Sequence, residues 1–255
     1  MCLPGITGEQ MIAVDHIMVN ELKVPIELMM EQAGLCLARL AVAYSSHNAP
    51  RYHVVVGPGN NGGGGLVAAR RLINWNHDVT IIIPTGYNSL RAVPMTQLER
   101  LQRMGVSPEE DMPNDLPEDT TVLDAYIGYG YQKRNDAVTA QVFASLIGHN
   151  RIISLDSPSG LDVTTGVNDS GIKPISTLTI AFVKTGLLLA PSRDIGQLYV
   201  CDVGVPTEIY LNRLGIDWSY PYDASAIDRL NDAFAIDPLT KAHVSSSNSH
   251  HWWNV

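Results

Sequence analysis

The sequence predicts an α/β fold in which a mostly parallel β-sheet is covered by helices on both faces. Six short apolar runs alternate with helical patterns from residue 52 onward. Strands that are apolar along nearly their whole length are typical of parallel sheets buried on both faces. A chain of 255 residues is long enough to form one large domain of this kind.

Two helices are predicted ahead of the first strand. Thr7 and Gln10 form a capping box, and apolar residues continue at helical spacing as far as Leu22. A second helix is expected from about Pro25 to Tyr44. Its methionines also recur at helical spacing, which favours a core or a subunit contact over an adaptable binding surface.

The alternating region of strands and helices follows. The predicted strands cover residues 52–56, 79–83, 121–127, 151–155, 177–182 and 197–200. The predicted helices cover about 65–75, 93–104, 136–147 and 206–214. The pattern fades near Tyr220, so we assign the domain to residues 1–219 and residues 220–255 to a loosely ordered C-terminal extension.

The composition argues against several kinds of partner. A formal net charge of -9 does not favour nucleic acid or an anionic membrane, since both require clustered Lys and Arg. Three cysteines without C-x-x-C spacing fit a reducing compartment. The sequence has no leader pattern and no run near the roughly 18 apolar residues of a membrane span. We therefore expect a cytoplasmic protein that binds neither nucleic acid nor membrane.

Residues 54–70, VVVGPGNNGGGGLVAAR, are the most informative segment. They predict a strand, a glycine loop and then a helix that begins near Leu66. The consecutive glycines Gly62 to Gly65 would let a ligand approach the main chain closely. The N-terminus of the following helix favours phosphate. A flexible linker is not favoured, because a strand pattern and a helix pattern flank the glycines directly.

The same glycines raise the alternative of a nicotinamide-dependent dehydrogenase. Gly57, Gly59 and Gly62 fit the dinucleotide-binding pattern G-x-G-x-x-G. That pattern usually has an acidic residue about 20 positions later, at the end of the second strand. Here the second apolar run ends in Pro84 and Thr85, so the dehydrogenase is not favoured.

Two aspartates, Asp124 and Asp156, stand at the ends of predicted strands. Ligands of open α/β sheets bind outside the carboxyl ends of the strands. A single aspartate at the end of a strand caps a helix or hydrogen-bonds to its own loop as often as it binds a ligand. Two of them beside the glycine loop favour a ligand site. The oxygens of Asn61, Asp124 and Ser159 would suit an alkali or alkaline-earth cation, of an identity that the sequence leaves open.

These motifs resemble the NAD(P)H-hydrate epimerases, the YjeF N-terminal domain family, over about residues 5–215. The glycine segment is similar to the family's GNNGGDGL loop. Asp124, Ala125 and Gly128 match its DAxxG, and residues 156–162, DSPSGLD, match its D-x-P-S-G-L-D. The leading GEQM and MEQAG segments resemble its first two helices.

The resemblance implies a three-layer αβα Rossmann-like domain, commonly dimeric, that interconverts the R and S forms of hydrated NADH and NADPH. It implies a potassium ion held by Asn61, Asp124 and Ser159, and Asp156 as the catalytic acid/base. The implied substrate contacts are Asn60, Asn61, Gly62, Gly63, Gly64, Gly128, Tyr129, Gly130, Tyr131, Gln132, Lys133, Arg134 and Asp156. Family members are often fused to an ADP- or ATP-dependent dehydratase, which we expect here as a separate protein.

Two positions leave alternatives open. Gly64 stands where the family has Asp, which removes an acceptor and predicts a more mobile loop. This departure raises a second hypothesis, a catalytically weak or silent member that binds nucleotides or partner proteins. Lys184 matches a KxG pattern of the family and either approaches the site or is an ordinary lysine at a strand end.

Overall fold

The computed structural model describes residues 4–45 and 50–216, together with two short strands at 233–237 and 242–243. The strands are β1 Arg51–Val56, β2 Asp78–Ile82, β3 Thr120–Ala125, β4 Ile152–Leu155, β5 Ser176–Ile180, β6 Gln197–Cys201, β7 Ala233–Asp237 and β8 Ala242–His243. The α-helices are α1 Gly8–His16, α2 Ile26–Ala43, α3 Asn60–Asn74, α4 Ala92–Arg103, α5 Ala137–Leu146 and α6 Thr185–Leu189. One π-helical segment, Ile17–Glu21, follows α1, and another, Ile209–Arg213, follows β6.

One sheet runs through the molecule in the order β2-β1-β3-β4-β5-β6-β7-β8. Strands β1 to β6 pair in parallel, and β7 and β8 continue the sheet antiparallel. All six predicted strands are confirmed. The two antiparallel strands lie within the predicted C-terminal extension, whose proposed boundary at 219/220 falls outside the described residues.

Helices cover both faces of the sheet and make the three layers. On one face, α2, α3 and α4 pack on alternate strand residues such as Val54 and Leu123. On the other face, α5 packs on Val55 and Val122. Because β1 lies between β2 and β3, strand order reverses beside it and opens a crevice at its carboxyl end. No helix of the described residues is long and apolar enough to cross a membrane.

The glycine segment is helical, which corrects the prediction of a loop followed by a helix near Leu66. Helix α3 begins at Asn60 and contains Gly62–Gly65, all of them buried. Close packing explains why glycines occupy a helix. A Cβ added at Gly65 would lie 2.5 Å from the Ala125 Cβ, and one at Gly34 would lie 2.6 Å from the Gly64 carbonyl oxygen. The absence of side chains lets α3 approach both the sheet and α2.

We predict that Gly34→Ala destabilises the fold by about 2 kcal/mol. Overpacking costs about 1–3 kcal/mol, and the added Cβ would also stand 2.5 Å from the Val67 Cβ. The higher helix propensity of Ala returns at most about 1 kcal/mol. Urea unfolding measures the difference. Gly130→Ala is the control, because a Cβ there meets no atom within 4 Å; equal stability of the two variants would contradict the packing argument.

Candidate active site

Three segments meet at the carboxyl edge of the sheet, at the N-terminus of α3 and in the loops after β3 and β4. The Asn61 side-chain amide donates to the Leu155 carbonyl oxygen at 3.2 Å. A Cβ placed on Gly128 would lie 2.8 Å from Asp156 Oδ2 and 3.2 Å from Asn61 Oδ1. Asn61, Gly128 and Asp156, which are distant in sequence, therefore surround one point.

Asp124 and Ser159 form a second, fully buried pair beside them. The Ser159 hydroxyl donates to Asp124 Oδ1 at 2.5 Å, and the Ser159 amide donates to Oδ2 at 2.9 Å. Ser154 and the amide of Tyr126 supply two further donors. Burial raises the pKa of Asp124, while the hydrogen bonds from Ser159 and Ser154 oppose that rise. The strand-end carboxylate thus holds the β3 and β4 loops together.

The oxygen atoms of this region fit a potassium ion. Asn61 Oδ1 is buried, and within the described part of the chain it has no hydrogen-bond partner. Asp124 already accepts four donors, but two of them are serine hydroxyls that can rotate. An unpaired, buried amide oxygen suits a hard cation. Residues 4–45 and 50–216 show no group of three His, Cys, Asp or Glu that could hold a metal.

Asp156 adopts an unusual backbone conformation directly after β4. Its φ of 68° is in the left-handed region, where non-glycine residues are rare. Its Oδ2 accepts the Tyr129 amide at 2.7 Å, and its Oδ1 accepts the more distant Ile180 amide at 3.3 Å. Strained residues of this kind cluster at functional sites, because the surrounding structure must hold them in place.

Lys184 is the cationic partner of Asp156, which resolves the alternative left open by the sequence. Its side chain is fully buried and donates to Asp156 Oδ1. It also donates to Thr179 Oγ1 at 3.1 Å and to the Ile180 carbonyl oxygen at 2.6 Å. The three acceptors use all three protons of the ammonium group. Charge-assisted bonds of this kind hold the carboxylate in one orientation.

Sequence reasoning missed Asp15 of α1. Its Oδ2 accepts the Tyr129 hydroxyl at 2.5 Å, so the first helix reaches the predicted substrate loop. A carboxylate between the buried residues Val14 and Ile17 was the signal available in the sequence. Helical spacing alone does not reveal its partner, because Tyr129 is 114 residues away.

Three further residues of the predicted substrate loop, Tyr131, Lys133 and Arg134, line a cavity of about 360 Å³. Lys133 Nζ lies 3.0 Å from Asp169 Oδ1, and the Tyr131 hydroxyl lies 3.2 Å from Asp169 Oδ2. Arg134 and Phe143 line the same cavity. Gly130 and Gln132 are exposed in this loop, and Asn60 is exposed at the start of α3.

Gly64 lies inside α3, so the prediction of a more mobile loop at this position is wrong. A Cβ at Gly64 would stand 2.8 Å from Leu155 Cδ2 and 4.0 Å from Met30 Sδ. The position therefore faces the apolar contact between α3, β4 and α2. In this chain the Leu155 side chain occupies the space that a larger residue would enter.

The fold and site define a class, a Rossmann-like α/β protein with an oxygen-lined crevice at the carboxyl edge of its sheet. Residues 26–186 match the family model described as YjeF-related protein N-terminus. The chain belongs to this family.

Two relatives agree with that assignment, and a solved structure shares the fold. An NAD(P)H-hydrate epimerase of Dehalogenimonas lykanthroporepellens is 36% identical, with 88% of this chain and 92% of the relative covered. A bifunctional NAD(P)H-hydrate repair enzyme of Thermofilum pendens is 35% identical over 71% of this chain and 36% of its own. The crystal structure of the yeast protein ynu0 superposes with a TM-score of 0.73 at 19% identity, over 91% of this chain and all of the yeast chain.

We predict that Lys184→Met destabilises the protein by about 3–5 kcal/mol, because it leaves the buried Asp156 carboxylate without its cation. Lys133→Met is the matched control. It breaks an ion pair in which the lysine side chain is 73% exposed, and such pairs contribute about 0–1 kcal/mol. Urea unfolding compares the two variants, and a similar small loss for both would show that the buried pair is dispensable.

Proposed function

We propose that this chain is an NAD(P)H-hydrate epimerase, which interconverts the R and S forms of hydrated NADH and NADPH. The observation that carries the proposal is a strained carboxylate, Asp156, held by a buried lysine at the carboxyl edge of the sheet. Its family and the names of its relatives agree with this activity.

The chemistry requires one group that exchanges a proton with the reacting oxygen. The substrate carries a hydroxyl at C6 of the nicotinamide ring, next to the ring nitrogen, and is therefore a hemiaminal. Cleavage of the C6–O bond with protonation of the leaving oxygen releases water and leaves an iminium carbon. Water then adds to the other face of the ring and loses a proton, so the reaction consumes neither water nor protons overall. We assign both proton transfers to Asp156: its protonated carboxyl group gives the proton to the leaving oxygen, and the carboxylate that results takes a proton back from the added water.

The surrounding residues orient that carboxylate and the substrate. The Tyr129 amide and the Lys184 ammonium fix the two Asp156 oxygens in space. The N-terminus of α3 presents main-chain N–H groups to the same crevice, where a substrate phosphate is favourable. Precise positioning of this kind supplies a large part of the catalysis when a single proton-transfer group is present.

A potassium ion would be held by Asn61, Asp124 and Ser159. The buried, unpartnered Asn61 Oδ1 supports this hypothesis. When bound, the ion would neutralise charge and orient the phosphates and ribose of the substrate. It takes no part in the proton transfers assigned to Asp156.

The alternative, a silent nucleotide-binding or scaffold member, is less well supported. The alternative was based on Gly64, which lies in an apolar contact of α3. Asp156, in contrast, accepts the Tyr129 amide at the carboxyl edge of the sheet, and several relatives are named as epimerases.

The partner enzyme, the oligomeric state and the cellular location of this protein are proposals. The bifunctional relatives extend well beyond the part that this chain matches, 36% of one and 41% of another. We propose that a dehydratase acts on the same metabolites. A homodimer and a cytoplasmic location stay predictions.

We predict that the purified protein in potassium chloride accelerates exchange between R- and S-hydrates of NADH. Asp156→Asn is expected to lower kcat by at least about 100-fold, because the amide cannot exchange the proton. Binding of NADH, measured by fluorescence, should change little, since an amide oxygen still accepts hydrogen bonds.

The exposed Asp111→Asn is the matched control. If the wild-type protein does not exceed the spontaneous rate, the proposed function is wrong. If Asp156→Asn turns over as fast as Asp111→Asn, the activity stands but the role of Asp156 is refuted.

A further inference from the structure

The first helix reaches the reacting carboxylate through one tyrosine. The Tyr129 hydroxyl donates to Asp15 Oδ2 at 2.5 Å, and the Tyr129 amide donates to Asp156 Oδ2 at 2.7 Å. Tyr129 therefore connects a carboxylate on α1 with the carboxylate assigned to proton transfer. Asp15 lies outside the GEQM and MEQAG segments that carry the family resemblance in this region.

Helix α1 is fixed in place independently of this contact. Its N-terminus is closed by the Thr7 and Gln10 capping box. Met11 and Val14 are buried in an apolar cluster with Met30 and Phe182. Asp15 is thus presented from a rigid element, which is what a side chain needs to position another group accurately.

The segment before α1 is tied to the same place. Ile6 donates its amide to the Val183 carbonyl oxygen at 2.9 Å and accepts the Thr185 amide at 2.8 Å. These two bonds flank Lys184, the partner of Asp156. The segment before α1 therefore pairs with the backbone on both sides of Lys184, while α1 itself contacts Tyr129 through Asp15.

The Asp15–Tyr129 contact is partly buried. Burial raises the pKa of Asp15, and the nearby charge of Asp156 adds to this rise, whereas the Tyr129 hydrogen bond and Lys184 oppose it. Burial and the Asp15 carboxylate also raise the pKa of the Tyr129 hydroxyl. The tyrosine therefore stays a donor at neutral pH, and the bond persists.

We propose that Asp15 is a positioning residue of the epimerase site, which fixes Tyr129 and through it the amide that orients Asp156. This inference rests on the proposed function. Without the bond to Asp15, the Tyr129 side chain loses its anchor on α1. The amide would then sample other orientations, and the carboxylate would be aligned with the substrate for a smaller part of the time.

A purely structural tie between α1 and the loop would behave differently. It would lower stability when broken, and turnover measured on the folded protein would remain unchanged. A positioning role instead lowers kcat in the folded protein. Because Asp15 would act only through Tyr129, losses from the two residues would not add.

The test is a double-mutant cycle with wild type, Asp15→Ala, Tyr129→Phe and the double variant, measured as kcat and KM for exchange of NADH hydrates. Thermal unfolding confirms that each variant is folded at the assay temperature. We expect each single variant to lose about tenfold in kcat, since the lost bond involves a charged acceptor. The double variant is expected to be no slower than the slower single variant.

Two further variants sharpen the result. Asp15→Asn keeps an acceptor oxygen at the same place and is expected to retain kcat within about threefold. Glu9→Ala removes an exposed carboxylate from the same helix and is expected to be unchanged.

The outcomes separate this inference from the proposed function. Absence of exchange by the wild type overturns the proposed function and the inference with it. An active wild type with Asp15→Ala and Tyr129→Phe at wild-type kcat overturns the inference alone. Losses that multiply in the double variant, or Asp15→Asn as slow as Asp15→Ala, also overturn it.

Discussion

The buried ion pair between Lys184 and Asp156 is the interaction on which the geometry of the site depends. Asp156 comes directly after β4 and Lys184 directly before α6, and both side chains are almost completely excluded from solvent. A buried charge is tolerated only when its partner and its remaining hydrogen bonds are present. The left-handed backbone at Asp156 adds a second cost, which the surrounding contacts must offset. The buried charges and the left-handed backbone are both unfavourable for stability, which is the pattern expected of a functional site.

The sheet was predictable from the sequence because its signal is local. Each of β1 to β6 has four to six residues and contains buried apolar side chains, and burial on both faces leaves few alternatives to a parallel strand. The positions of Asp124 and Asp156 followed from the same logic, since strand ends meet at one edge. Gly62 to Gly65 were misjudged because their local propensity opposes a helix. The close approach of Gly34 and Ala125 that favours glycine there is visible only in three dimensions.

The partners within the site were harder to predict, because they depend on contacts that are remote in sequence. Lys184 and Asp156 are 28 residues apart, and Asp15 and Tyr129 are 114 residues apart. In sequence, Lys184 has the appearance of an ordinary lysine at a strand end. Asp15 has the appearance of a polar residue on an amphipathic helix. Only packing of α1 and of the β5–α6 segment against the substrate loop reveals what each side chain holds.

The loops after β1, β3 and β4 are claimed to form a single substrate site around Asp156. A crystal structure of the protein soaked with a reduced nicotinamide nucleotide tests this claim most directly. The account predicts that the nicotinamide ring lies against the Asp156 carboxylate and that the phosphates lie at the N-terminus of α3. A nucleotide bound elsewhere on the protein, with the Asp156 crevice filled only by solvent, would contradict it.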